Sequence, residues 1–295
     1  MSYSPSSGFV YIPTVEMPQY YSAKGIDPKT WSARPFFYNT GYDVIDVEGL
    51  SKVSLSASLL AWDPVTRRKA WEVPLPGLWN GGTLATAGNL VFQGNAGGEF
   101  VAYNATNGTM LWRFDAGLGI NGAPISYLLD GKQYVAILVG WGGALPGSFG
   151  LGVRQHGWHY GQQPRRLLVF TLDAKRQLPV SPQRAAPVPL DNPELRIDEQ
   201  QAAAGQQLFN STCHLCHGFM AIAGGGAPDL RASPLALSAQ AFRTVLKEGP
   251  LLPRGMPLYD DLTDAEIASL YAYIRQRARV DLEKENVPVT LPAGR

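Results

Sequence analysis

The chain has 295 residues, 45% of them hydrophobic and 17% charged, which describes a folded globular protein and excludes a disordered one. Its net charge of +1 gives no electrostatic reason to expect nucleic acid or an anionic membrane as partner. The longest apolar run, near Tyr134 to Val139, is far too short to cross a bilayer.

The first residues, MSYSPSSGFVYIP, show neither a basic segment nor an apolar core, so no signal peptide is expected there. From here to about residue 175, short runs rich in β-branched and aromatic residues are bounded by Gly, Pro, Asn or Asp. Gly8 to Ile12, Asn89 to Phe92 and Tyr134 to Leu138 are examples, and each reads as a strand. Residues 59–73 (LLAWDPVTRRKAWEV) and 100–114 (FVAYNATNGTMLWRF) align without gaps, bringing Trp62 onto Tyr103, Asp63 onto Asn104 and Trp71 onto Trp112. The spacing of 41 residues matches the period of roughly 40 to 45 of four-stranded propeller blades. Asp63 to Arg67 and Asn104 to Gly108 suit hairpin turns. The closing tryptophan offers a flat surface to fill the gap between blades. Residues 165–173 look like a partial further copy. Two unrelated hairpins in a sandwich are the plainer alternative. At this period, residues 1–175 make about four blades.

Residues 176–197 are proline-rich and polar and read as an extended linker. Residues 198–280 are helical in pattern, and 281–295 read as a tail. Asp198 is a candidate helix cap. Thr263 to Arg279 is the clearest helix: Thr263 and Glu266 form a capping box, Ile267, Leu270, Tyr271 and Ile274 share one apolar face, and arginines gather where the helix dipole favours them. The fold class expected is therefore an all-β propeller portion followed by an all-α domain.

The only two cysteines, Cys213 and Cys216, lie in Cys213-His214-Leu215-Cys216-His217. This is the C-x-x-C-H motif of covalent c-type haem. Two thiols add to the two vinyl groups on one porphyrin edge, and His217 then falls beneath the iron. A redox C-x-x-C would be expected in a βαβ setting, and a structural zinc would need further ligands nearby. For the sixth position Met220 is too close to His217 to reach the far face. Met256 sits in a Pro-Arg-Gly-Met-Pro loop and is the candidate axial ligand, an ordinary core methionine being the alternative. His156 and His159 read as surface or loop histidines, and His214 has no assigned role. Arg243, Lys247 and Arg254 near the Met256 loop are either solvated, paired with haem propionates, or facing an acidic partner.

The run PGLWNGGTLATAGNLVFQG at 76–94, the blade motif ending in Trp112, and GKQYVAILVGWGG at 131–143 resemble quinohaemoprotein alcohol dehydrogenases. The order of propeller, proline-rich linker and cytochrome c is similar to that family over nearly all of residues 1–280. The resemblance implies an eight-bladed propeller holding pyrroloquinoline quinone (PQQ) and Ca2+. It implies oxidation of alcohols to aldehydes, with hydride passing to the quinone and electrons leaving through haem. The downstream acceptor would be a cytochrome, a copper protein or a quinone-reducing membrane subunit. By position, Trp79 and Asn80 match residues that reach the quinone; blade packing and a simple turn are their respective alternatives. No catalytic residue can be assigned, since the aspartate, the calcium ligands and the vicinal disulfide of the family belong to an upstream half. The chain is thus expected to be the C-terminal portion of a longer periplasmic dehydrogenase, with open blade edges prone to aggregation. A stand-alone electron-transfer module on a non-catalytic β platform is the alternative.

Overall fold

The computed structural model describes residues 1–17, 23, 26–41, 55–141, 159–161, 165–179 and 186–285. They fall into two compact units, the first built mainly from 1–19 and 51–185 and the second from 186–295 together with residues between 20 and 50.

The first unit is a series of antiparallel sheets. β1 (Ser2–Ser4), β2 (Phe9–Glu16), β3 (Ser56–Asp63) and β4 (Arg68–Pro74) pair in sequence order. The second sheet repeats this with β5 (Thr83–Thr86), β6 (Leu90–Gly94), β7 (Glu99–Asn104) and β8 (Met110–Asp115). The third holds β9 (Ile125–Leu129), β10 (Lys132–Val139) and β11 (Arg166–Phe170). The two aligned sequence repeats are the β3–β4 and β7–β8 hairpins, and residues 165–173 supply the third strand of the third sheet. Three sheets stand among the described residues where length alone gave about four blades. Much of 17–55, between β2 and β3, and of 140–165, between β10 and β11, lies outside the described residues.

The hairpin turns form as their side chains dictate. Asp63 Oδ1 accepts from the amides of Val65 and Thr66, and Asn104 Oδ1 accepts from that of Thr106. The tryptophan of each hairpin faces the following sheet. Trp71 donates through Nε1 to the carbonyl of Ala105 (3.0 Å), which also accepts from the Tyr11 hydroxyl (2.9 Å). Gly108 lies flat against the indole: a Cβ there would stand 2.7 Å from Trp71 Cε3. Trp112 meets Phe170 edge-on at 5.5 Å. In both hairpins the register shifts just before the tryptophan, leaving Ala70 and Leu111 as the extra residues of two matching bulges. The third sheet leaves Ile125, Leu128, Leu138, Leu167 and Val169 exposed, an apolar surface of the kind that seeks cover.

The second unit is helical. α1 (Glu199–Thr212) is capped by Asp198, whose carboxylate accepts from the Gln201 amide, as expected. α2 (His214–His217) follows at once, then α3 (Pro234–Leu237), α4 (Ala239–Glu248) and α5 (Asp264–Glu285). The capping box of α5 is reciprocal: Thr263 N donates to Glu266 Oε2 at 2.7 Å and Glu266 N to Thr263 Oγ1 at 3.2 Å. Ile267, Leu270 and Ile274 are buried with Phe209, Leu246 and Leu262.

Two expectations are corrected here. α5 runs on to Glu285 instead of ending at Arg279, so residues 281–285 are helix and not tail. Its arginines serve specific acceptors more than the dipole. Arg275, fully buried, donates to the carbonyls of Leu190 (2.8 Å) and Leu230 (2.7 Å). Arg279 grips Asp191 (2.9 Å), the Asn192 carbonyl (2.9 Å) and the Leu195 carbonyl (3.1 Å). The end of the expected linker, 190–195, is therefore strapped to the helical unit.

α1 and α5 approach at Gly205, where a Cβ would stand 1.9 Å from the Ser269 carbonyl oxygen. Alanine would add up to ~1 kcal/mol of helix propensity. A backbone clash outweighs that, since overpacking typically costs about 1–3 kcal/mol. Gly205→Ala is expected to lower the denaturation midpoint of the helical unit, followed by circular dichroism; an unchanged or raised midpoint would contradict this packing.

Candidate haem attachment site

The attachment motif begins at the C-terminal end of α1. The amides of Cys216 and His217 both donate to the Cys213 carbonyl, at 3.3 and 3.0 Å. One tight helical turn thus sets Cys213, Cys216 and His217 at i, i+3 and i+4, on a single face. Cys216 is exposed, while Cys213 is half-buried against the helical core.

His217 is buried, and its Nδ1 lies 2.8 Å from the Pro228 carbonyl oxygen. A carbonyl only accepts, so Nδ1 carries the proton and Nε2 keeps its lone pair. Burial pulls the His217 pKa below its usual value, against the opposing influence of that carbonyl and of Asp229. A neutral imidazole with a free Nε2 is the form that ligates iron. Burial pushes the Cys213 thiol up to about 12 and also raises that of Cys216.

Met256 follows a short 3-10 turn, Leu252–Arg254, closed by Gly255 at φ 87°. Its side chain is half-buried and packs against the same core cluster as Cys213. The Met220 backbone takes up left-handed φ of 57°, and its carbonyl accepts from Arg277 Nε (3.4 Å). His214 is buried, stacked on Phe219 at 4.3 Å, with the Tyr38 ring edge-on at 5.5 Å. Burial lowers its pKa to about 4, so it is a neutral packing residue near pH 7. His159 lies in irregular backbone, as the loop alternative has it, but is buried; His156 lies outside the described residues. Lys247 donates to the Asp260 carbonyl and Arg243 to Asp264, whereas Arg254 is exposed.

A segment missed in the sequence, 26–41, also builds this site. Arg34 reaches Asp261 (3.1 Å) and Glu266 (2.9 Å), and its guanidinium lies 4.2 Å over the Phe37 ring. The Tyr38 amide donates to the Ser211 carbonyl (2.6 Å), and Thr212 Oγ1 donates to that of Phe36 (3.3 Å). These contacts close over the last turn of α1, directly before Cys213. The available signal was negative: around residues 26–41 the alternating apolar pattern of the strands lapses.

Trp79 and Asn80 precede β5. Trp79 is half-buried and packs on the cluster of Ala96, Phe100 and Trp141. Asn80 Oδ1 accepts from the Ala96 amide (2.9 Å), so this side chain braces a loop. Close backbone approach explains the glycines that follow: a Cβ on Gly81 would lie 2.6 Å from the Gly122 carbonyl oxygen.

Residues 200–274 match the family model "Cytochrome C oxidase, cbb3-type, subunit III", and residues 56–135 match "Glucose/ethanol/alcohol dehydrogenase, beta-propeller domain". Quinohemoprotein alcohol dehydrogenase ADH IIB of Pseudomonas putida is 42% identical over 95% of this chain and 40% of its own length. The solved structure of quinohemoprotein alcohol dehydrogenase ADHIIG from Pseudomonas putida HK5 superposes with a TM-score of 0.80 at 36% identity, covering 96% of this chain and 41% of that one. The enzyme from Comamonas testosteroni gives a TM-score of 0.74 at 31% identity, covering 95% and 40%. Over nearly its whole length the chain is similar to quinohaemoprotein alcohol dehydrogenases. It spans about two fifths of the length of the curated relatives it matches. Sheet-rich blades followed by a cytochrome c region are the arrangement of that family, as the sequence led one to expect.

The two thiols differ enough in setting to be told apart chemically. In the haem-free chain at about pH 8, iodoacetamide is expected to label exposed Cys216 at least about tenfold faster than Cys213, because only thiolate reacts. Peptide mapping after timed quenching reads the two rates; equal rates would show that Cys213 is not shielded.

Proposed function

We propose that this chain carries one covalent haem c and forms the electron-relay part of a PQQ-dependent alcohol dehydrogenase that oxidises alcohols to aldehydes. One observation carries the reading: Cys213, Cys216 and His217 share the face of one turn, while Pro228 fixes the His217 tautomer that leaves Nε2 for iron. In this reading Cys213 and Cys216 would hold the porphyrin by thioether bonds, and His217 and Met256 would be the ligands of its iron. The half-buried setting of Met256 against the cluster that also receives Cys213 supports that last assignment. The haem supplies a one-electron iron couple when bound, and methionine–histidine ligation raises its potential. Burial of His217 keeps water and protons from the ligating nitrogen.

Trp79 contributes a broad apolar ring to one wall of the quinone site in the complete enzyme. Asn80 holds that loop in place through Ala96. Further blades would cover the apolar surface of the third sheet and would bring the catalytic base and calcium ligands. The protein acts outside the cytoplasm, in the periplasm, where haem is joined to C-x-x-C-H motifs. Its electrons pass to a downstream redox carrier.

Coexpression with the haem-ligation machinery tests this directly. The chain should be red, keep its pigment through acid–acetone extraction, and lose it in Cys213→Ser and Cys216→Ser. Met256→Ala should retain the pigment but lose the far-red charge-transfer band of methionine-ligated ferric haem. A colourless product, or a pigment that extracts, would overturn the reading. Dye-linked alcohol oxidation by the full-length enzyme with added PQQ and Ca2+ tests the dehydrogenase assignment; haem reduction by a partner alone would replace it with a stand-alone relay.

A further inference from the structure

Behind the proposed haem ligand lies a set of buried charges that the haem reading does not use. Asp229, next to the Pro228 carbonyl that receives His217 Nδ1–H, is held in a fork by Arg231. Nε donates to Oδ1 at 3.0 Å and Nη2 to Oδ2 at 2.6 Å. Asp229 Oδ1 also accepts from the Arg231 amide, so the turn Pro228–Arg231 is closed on itself. The remaining Nη1 of Arg231 donates to Asp281 Oδ2 at 2.6 Å. Asp281 Oδ1 in turn accepts from Arg277 (3.0 Å), whose Nε reaches the Met220 carbonyl. Two turns that follow His217 in the chain, Pro228–Arg231 and Phe219–Ala221, are thus tied to one carboxylate on the final stretch of α5. Asp229, Arg231 and Asp281 are all buried.

Such a network costs desolvation and is a poor source of net stability. Geometry is what it supplies. The His217 Nδ1–H···O bond can be no better aligned than the carbonyl that receives it, and the Arg231 fork on Asp229 closes the turn that starts at that carbonyl. We propose that Asp281, acting through Arg231 and Asp229, is a positioning residue for the His217 imidazole, and that it tunes the potential of the bound haem by holding the Pro228 carbonyl on Nδ1. This rests on the haem reading above. The sign follows from the bond: a well-made hydrogen bond to Nδ1–H increases the electron donation of the imidazole and favours ferric iron. Loosening it raises the potential.

The test uses the haem-loaded full chain. In Asp281→Asn and Arg277→Gln, the midpoint potential should rise, and exchange of the His217 Nδ1 proton, followed by NMR in the reduced diamagnetic state, should accelerate at least about tenfold, the equivalent of ~1.4 kcal/mol of lost protection. Asp281→Glu should recover most of both. Arg279→Gln, which frees residues 191–195 while Leu190 stays bonded to Arg275 and to the Arg231 carbonyl, serves as the control: it should lose stability but move neither readout. Should Asp281→Asn fail to accumulate, Arg277→Gln decides. If a red wild-type protein and these variants share one potential and one exchange rate, the network is scaffolding and the proposal falls alone. A colourless wild type would take down the haem reading and this proposal with it.

Discussion

Because α1 ends where the attachment turn begins, the place at which α1 meets α5 decides where Cys213, Cys216 and His217 are presented. That meeting is set at Gly205, whose missing Cβ lets the α1 backbone press against the Ser269 carbonyl. Phe209, one turn further on, then packs its ring 5.3 Å from Tyr273. From that crossing follow the enclosed Leu246, Leu262 and Ile274, and the half-buried seat of Met256 on the same cluster. Backbone approach of this kind has no substitute among the other residues, since any side chain would separate the helices.

Charge in the helical unit obeys a second logic. Arg275 and Arg231 are both buried, yet they are stabilised differently. Arg231 has carboxylates on two sides, and its pKa is raised by them despite burial. Arg275 has only carbonyl oxygens, and burial lowers its pKa. A planar five-donor head suits both tasks; an ammonium group could not span Leu190 and Leu230 at once. These arginines bind the chain on either side of the motif to one long helix, so the helix has to be longer than its capping signals and apolar stripe require.

The sequence was most legible where one residue type allows one chemistry. C-x-x-C-H, the Thr263–Glu266 box and the Asp198 cap each rest on local spacing, and local spacing survives folding. The Trp71 and Trp112 repeat was legible for the same reason. What escaped reading depends on contacts distant in the chain. Nothing near Arg34 announces Asp261 or Glu266, which lie more than two hundred positions away. The end of α5 was placed too early because Arg275, Arg277 and Arg279 look like a dipole-matched terminus, whereas their acceptors lie at 190–195, 220, 230 and 281. A period measured between neighbouring hairpins fixed the repeat, and three sheets stand among the described residues.

The paired bulges at Ala70 and Leu111 carry a consequence for how this β region tolerates change. Each extra residue stands immediately before the tryptophan that meets the next sheet. Strand side chains alternate in direction, so removing or adding one residue between turn and tryptophan would turn the indole to the opposite face. Trp71 would leave the Ala105 carbonyl and Gly108, and Trp112 would leave Phe170. These hairpins can therefore accept replacement of turn residues other than Asp63, Asn104 and Gly108, but not a single-codon insertion or deletion.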